Sequence, residues 1–125
     1  MKNREIVAAY ENLTALINKQ EKYPVRFSYA VTRNFKMLES LMKDFESERN
    51  KLLDQYNVKN DKGEPAYKET GKVEIASEQM EAWTMDMGEL LEIEVECNLQ
   101  VVSIGDFPEN IEPGILYGLD FMIQE

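Results

Sequence analysis

The chain has 125 residues, 43% hydrophobic and 30% charged, which fits a single globular domain with a modest core and excludes wholesale disorder. With no histidine and one cysteine, it excludes His-based acid–base or nucleophilic catalysis, His-ligated metals and an internal disulfide. No apolar run approaches the roughly 18–20 residues that span a bilayer, so no membrane partner is expected.

Met-Lys-Asn-Arg-Glu leads into an amphipathic stretch instead of the apolar block of a secretory signal, and a reducing, cytoplasmic setting is expected. Asn3 is a suitable helix N-cap. Ile6, Ala9, Tyr10, Leu13, Leu16 and Ile17 form one apolar stripe, which predicts a helix over about 4–19. After a polar link, Pro24 suits the first turn of a second helix over about 24–56, completing a long helical hairpin. Phe27, Val31, Leu38, Leu41, Phe45, Leu52 and Tyr56 advance along it in steps that, with polar Asn34 and Glu48, alternate between four and three. Such a helix reaches about 45–50 Å, long for so small a chain. The seam Asn34, Leu38, Leu41, Phe45, Glu48 and Leu52 is therefore expected to join a second copy, its polar members fixing register. A competing local reading makes residues 25–29 a short strand.

Asn60-Asp61-Lys62-Gly63-Glu64-Pro65 and Thr70-Gly71 have turn composition, and residues 57–76 read as a flexible loop with room for a short hairpin. Ser77 is a suitable cap for a third helix over about 78–91, with Met80, Trp83 and Met87 on its apolar face and Leu90 and Leu91 at its end. Residues 92–102 then alternate. Ile93, Val95, Cys97, Leu99 and Val101 fall on one face and Glu92, Glu94, Glu96, Asn98 and Gln100 on the other, which predicts a strand. Its partner is residues 25–29, the 66–75 region or the same strand of a second copy. Pro113 opens a closing helix over about 113–124, with Ile115, Leu116, Leu119, Met122 and Ile123 inward. The expected class is α+β, mainly α, in one domain over 1–125.

Charge is divided unevenly along this order. Residues 1–68 hold thirteen Lys/Arg against ten Asp/Glu, net +3, whereas residues 69–125 hold Lys72 against fourteen acids, net −13. The candidate protein-binding residues are Glu89, Glu92, Glu94, Glu96, Asp106, Glu109 and Glu112, which extend one negative field. A solvated strand face that protects an edge is the plainer reading of the Glu92, Glu94, Glu96 row. No catalytic, metal or cofactor-binding residues stand out: the glycines are isolated, and Asp61-Lys62-Gly63-Glu64 lacks the acidic spacing of a calcium loop. Direct nucleic-acid binding is disfavoured by the acidic balance.

Asn3–Tyr10, Ser28–Asn34, Glu48–Leu53, Asp61–Glu64, Glu89–Leu91 and the closing Ile115–Ile123 together resemble small uncharacterised proteins encoded by phages and prophages of Gram-positive bacteria. The resemblance implies a viral origin and action in the cytoplasm of an infected cell, with no catalytic residues to carry over. The expected function is a non-catalytic protein-binding factor, an inhibitor of a host defence or nucleic-acid enzyme acting through the acidic C-terminal half. The alternative is a virion structural or assembly component that oligomerises through the long helix. A dimer pairing the basic half of one copy with the acidic half of another is a third reading.

Overall fold

Apolar spacing and capping together set the first helix. In the computed structural model, which describes residues 1–19, 21–59, 62–67 and 71–124, α1 spans Asn3–Asn18 and buries Ile6, Ala9, Leu13 and Leu16. The cap lies one residue earlier than expected. Lys2 is the N-cap, its N–H donating to the Glu5 carboxylate at 2.8 Å, and Asn3 is already helical and buried. Ile17, at the edge of the predicted stripe, is exposed.

α2 runs unbroken over Val25–Tyr56, so the strand reading of 25–29 is not adopted. Helix here lets the Ser28 N–H donate to the Pro24 carbonyl at 2.9 Å, and it places Phe27 in the core while Val25 and Tyr29 stay outside. Tyr10 stacks on Phe35 with ring centroids 5.4 Å apart, joining α1 to α2.

The described residues form two compact units, Met1–Lys43 with Glu94–Glu125, and Asp44–Ile93; α2 supplies residues to both. The first unit contains α1, the start of α2, and the chain after residue 93. α4 spans Pro113–Gly118 and packs on α1, where Asn12 Nδ2 donates to the Gly118 carbonyl at 3.0 Å. A Cβ at Gly118 would lie 2.8 Å from that amide nitrogen, so only glycine fits this approach undisturbed. The closing helix is therefore shorter than predicted. After Gly118 the chain leaves α geometry, makes a 3-10 turn over Asp120–Met122 and ends in β2, Ile123–Gln124. β2 pairs in parallel with β1, Val102–Ser103, in the register Val102 to Ile123. Leu119 and Met122, predicted inward, are fully buried.

The strand predicted over 92–102 is the main correction. Glu92 is the last residue of α3, and only β1 at the far end, together with a lone antiparallel bridge between Lys2 and Glu94, has ladder pairing. The alternation itself survives: Val95, Cys97 and Leu99 are half-buried, while Glu94, Glu96, Asn98 and Gln100 are exposed. Ile93 and Val101 depart from it and are exposed. Main-chain groups of this segment find other partners. Val95 exchanges bonds with Met1 at 2.8 and 3.0 Å. Asn34, wholly buried on α2, receives the Gln100 N–H on Oδ1 at 2.7 Å and donates Nδ2 to the Gln100 carbonyl at 2.9 Å. A primary amide has the shape of a peptide unit, so one helical side chain stands in for a neighbouring strand.

The second unit contains the end of α2, a set of short paired segments and α3, Met80–Glu92, which follows a 3-10 turn over Ser77–Gln79. Val58 donates to Glu74 at 2.8 Å, Glu74 to Ala66 at 2.9 Å and Ala66 to Val58 at 2.7 Å. These bonds close a three-cornered ring, flanked by bridges Asn57–Ile75, Lys59–Pro65 and Tyr67–Val73. Gly63 and Gly71 have φ of 78° and 85°, a region that glycine enters without strain, and they turn the chain between corners. Asn60, Asp61 and 68–70, parts of the predicted turns, lie outside the described residues. Ser77 makes no side-chain cap.

The architecture is mostly helical with a small two-stranded parallel sheet, as the α+β, mainly α reading anticipates.

Candidate functional site

Folding redistributes the charge. Because Glu94–Glu125 packs with Met1–Lys43, that unit holds eight Lys/Arg and eleven Asp/Glu, net −3, and Asp44–Ile93 holds six and thirteen, net −7. The basic head and acidic tail of the sequence are not two separate bodies.

The seven candidate acidic residues accordingly do not form one row. Within the first unit, Glu94 lies 3.4 Å from the Met1 α-ammonium at one end of α1, and Glu112 pairs with Lys19 at 3.5 Å at the other. A 16-residue helix is about 24 Å long, so these carboxylates are far apart on the molecular scale. Glu109 and Glu112 line a cavity of about 330 Å³ together with Glu21, Lys19 and Lys22, so its lining carries both signs. Asp106 lines another cavity beside Arg26. Glu96 is exposed on the extended segment. Glu89 and Glu92 belong to α3 in the second unit, so the alternating Glu92, Glu94, Glu96 ladder is broken at its first member.

The sequence reading named Glu89 and Glu92 but missed the rest of the outer face of α3. Glu81, Met85, Glu89 and Glu92 follow at steps of four, four and three, and Glu78 lies three residues before them. All are exposed, Met85 by 63%. The side chains of Glu78, Glu81 and Glu89 have no ion pair or hydrogen bond among the described residues. The signal was available as the polar complement of Trp83, Met87 and Leu90 at helical period. Met80, assigned inward from the same pattern, is partly exposed because the 3-10 turn before it rotates the helix start.

The opposite face of α3 is anchored. Tyr56 Oη donates to Asp86 Oδ2 at 2.5 Å, and Trp83 meets the Tyr56 ring edge-on at 6.5 Å. The hydrogen bond to Asp86, reinforced by desolvation and the carboxylate charge, raises the Tyr56 phenol above its ordinary pKa. Asn57 beside it is buried with neither Oδ1 nor Nδ2 hydrogen-bonded among the described residues.

The proposed oligomer seam is largely spent inside the chain. Asn34, Leu38 and Phe45 are buried, Leu41 and Leu52 are half-buried, and Glu48 faces solvent paired with Lys51 at 2.9 Å. Asn34 thus sets the register of a segment of its own chain. Cys97 Sγ lies 3.9 Å from Met37 Sδ, and burial pushes its thiol above the usual range, away from thiolate chemistry. Among the described residues no group of three or more Cys, Asp or Glu is arranged to hold a metal ion, and no helix is long and apolar enough to cross a membrane. No family model, curated protein or solved structure matches the chain.

Proposed function

We propose that this protein is a non-catalytic binding factor, phage-encoded and acting in the cytoplasm of an infected bacterium, that engages a basic protein through the acidic face of α3. One observation carries the reading: Glu78, Glu81 and Glu89 are exposed and have no cation partner among the described residues, whereas Glu94, Glu112 and Glu48 each have one. Glu81 and Glu89 are eight residues apart, about 12 Å along the helix, and exposed Met85 between them adds an apolar contact. A nucleic-acid-binding protein is the natural target, since a rigid row of carboxylates competes with phosphates for its Lys and Arg side chains. Complementary charge speeds such an encounter and makes it salt-dependent.

Affinity capture from host lysate at low and moderate salt, with bound proteins identified, tests the proposal. The expected result is a basic, nucleic-acid-binding protein retained by wild type, released by salt and lost with Glu81→Gln/Glu89→Gln. Equal retention by the variant refutes the assignment to α3. The alternative, a virion component joined through the α2 seam, has less support because that seam is largely covered. Mass spectrometry of purified particles separates the two readings, a stoichiometric presence favouring the virion.

A further inference from the structure

α2 carries a second exposed face, of opposite charge. Arg26, Tyr29, Arg33, Lys36, Ser40 and Lys43 follow at steps of three and four, and all six are exposed. The one acid between Val25 and Lys43, Glu39, is half-buried and flanks the far end of this stripe beside Lys36 and Lys43. Arg26, Arg33, Lys36 and Lys43 have no ion pair among the described residues. Beside the start of the stripe is a surface cavity of about 480 Å³, whose lining includes Val25, Arg26, Tyr29, Val101, Val102 and Asp106. Val25 is 84% exposed and Tyr29 57%, so this end of the face is apolar as well as basic.

The two faces match in spacing. From Arg26, Tyr29 lies about 4.5 Å along the axis and Arg33 about 10.5 Å; from Glu81, Met85 lies about 6 Å and Glu89 about 12 Å. Laid side by side in the same direction, the helices bring Arg26 to Glu81, Tyr29 to Met85 and Arg33 to Glu89. Two charge pairs then flank one apolar contact, and the cavity beside Tyr29 can receive the Met85 thioether, a flexible side chain suited to an imperfect pocket.

We infer that the exposed face of α2 at Arg26, Tyr29 and Arg33 docks the α3 face of a second copy at Glu81, Met85 and Glu89, giving salt-sensitive self-association. A second copy is a better occupant than nucleic acid because the stripe has an apolar centre, at Tyr29 beside Val25, that a phosphate backbone cannot use and Met85 can. Exposed charge pairs are individually weak, so the complex is expected to form at high protein concentration and to dissociate with salt.

The inference stands apart from the proposed host partner, because it needs none. Its test is sedimentation of the full chain at low and high salt for wild type, Arg26→Glu/Arg33→Glu, Glu81→Arg/Glu89→Arg and an equimolar mixture of the two variants. Circular dichroism of each variant establishes folding. Wild type is expected to rise above 14.5 kDa at low salt only. Each variant alone is expected to stay monomeric, and the mixture to recover association, because each reversed face then meets its complement. Monomeric wild type at low salt overturns the inference, as do folded variants that associate like wild type or a mixture that does not recover. Retardation of an oligonucleotide by a monomeric wild type, lost with Arg26→Glu/Arg33→Glu, also overturns it and assigns the α2 face to nucleic acid. Partner capture lost with Glu81→Gln/Glu89→Gln but kept with Arg26→Glu/Arg33→Glu leaves the proposed function intact whatever the self-association result.

Discussion

Replacing Asn34 by alanine is the sharpest test of how the segment after α3 is held. The side chain is fully buried and makes two bonds to one residue, 2.7 Å from the Gln100 N–H and 2.9 Å to the Gln100 carbonyl. Each bond contributes a net of about 0.5–1.5 kcal/mol. The truncated amide also leaves a void beside Met122, whose Sδ is 3.7 Å from Nδ2, at a further cost of roughly 1 kcal/mol. The expected loss is about 3 kcal/mol, a fall in Tm of more than about 10 °C for a cooperative unit of this size.

Two assays report on it. Circular dichroism melts give the global loss, and amide hydrogen exchange gives the local one, because the Gln100 N–H loses its acceptor. Asn34→Asp separates the two bonds: it keeps an oxygen for the Gln100 N–H but turns a carboxylate oxygen toward the Gln100 carbonyl, so it should also destabilise at neutral pH. If Asn34→Ala melts within about 2 °C of wild type and the Gln100 amide stays protected, the reasoning that one side chain replaces a strand is wrong.

Tyr56→Phe removes the bond to Asp86 and with it an alkaline transition. The folded chain holds the phenolic proton more tightly than the unfolded chain, so this contribution is complete below the ordinary phenol value near 10 and is lost as pH rises through the higher folded value. Tyrosinate absorbance followed with stability above pH 10 checks it; an unchanged alkaline limb in the variant rejects the assignment. Asn57→Leu is expected to stabilise the Asp44–Ile93 unit by about 1–3 kcal/mol, because a buried amide with neither Oδ1 nor Nδ2 bonded gives way to an apolar side chain of similar shape. A lower denaturation midpoint in that variant contradicts it.

Helices were the readable part of this sequence because their signal is local. Period 3.6 in Ile6, Ala9, Leu13 and Leu16, and in Phe27, Val31, Leu38 and Phe45, reports burial of one face, and main-chain bonding follows automatically. Alternation over residues 94–100 was equally legible as burial but misleading as hydrogen bonding. Period 2 says which side chains face inward, not what accepts each N–H, and here Met1 and Asn34 take that role. Gly118 was read through as part of a helix over about 113–124, and its close approach to Asn12 depends on α1, more than a hundred residues away in sequence. Of the candidate site, individual carboxylates could be named but not grouped, since grouping depends on which segments share a unit. Glu78 and Glu81 were passed over because the apolar side of α3 drew the reading.

Chain order therefore misrepresents the electrostatics in a way that bears on recognition. A +3 head and −13 tail suggest two oppositely charged lobes, but the folded units carry −3 and −7. Both are negative, so discrimination between partners cannot come from the net sign of a unit. At about 0.1 M salt the Debye length is near 10 Å, which is close to the 10–12 Å between Arg26 and Arg33 or between Glu81 and Glu89 along their helices. Charges at the two ends of α1, about 24 Å apart, are more than two screening lengths from one another. A partner at that ionic strength senses a single helical stripe, basic on α2 or acidic on α3. Salt titrations of variants in one stripe should accordingly differ from those of Glu94 or Glu112 variants, whose charges are already met by the Met1 ammonium and Lys19.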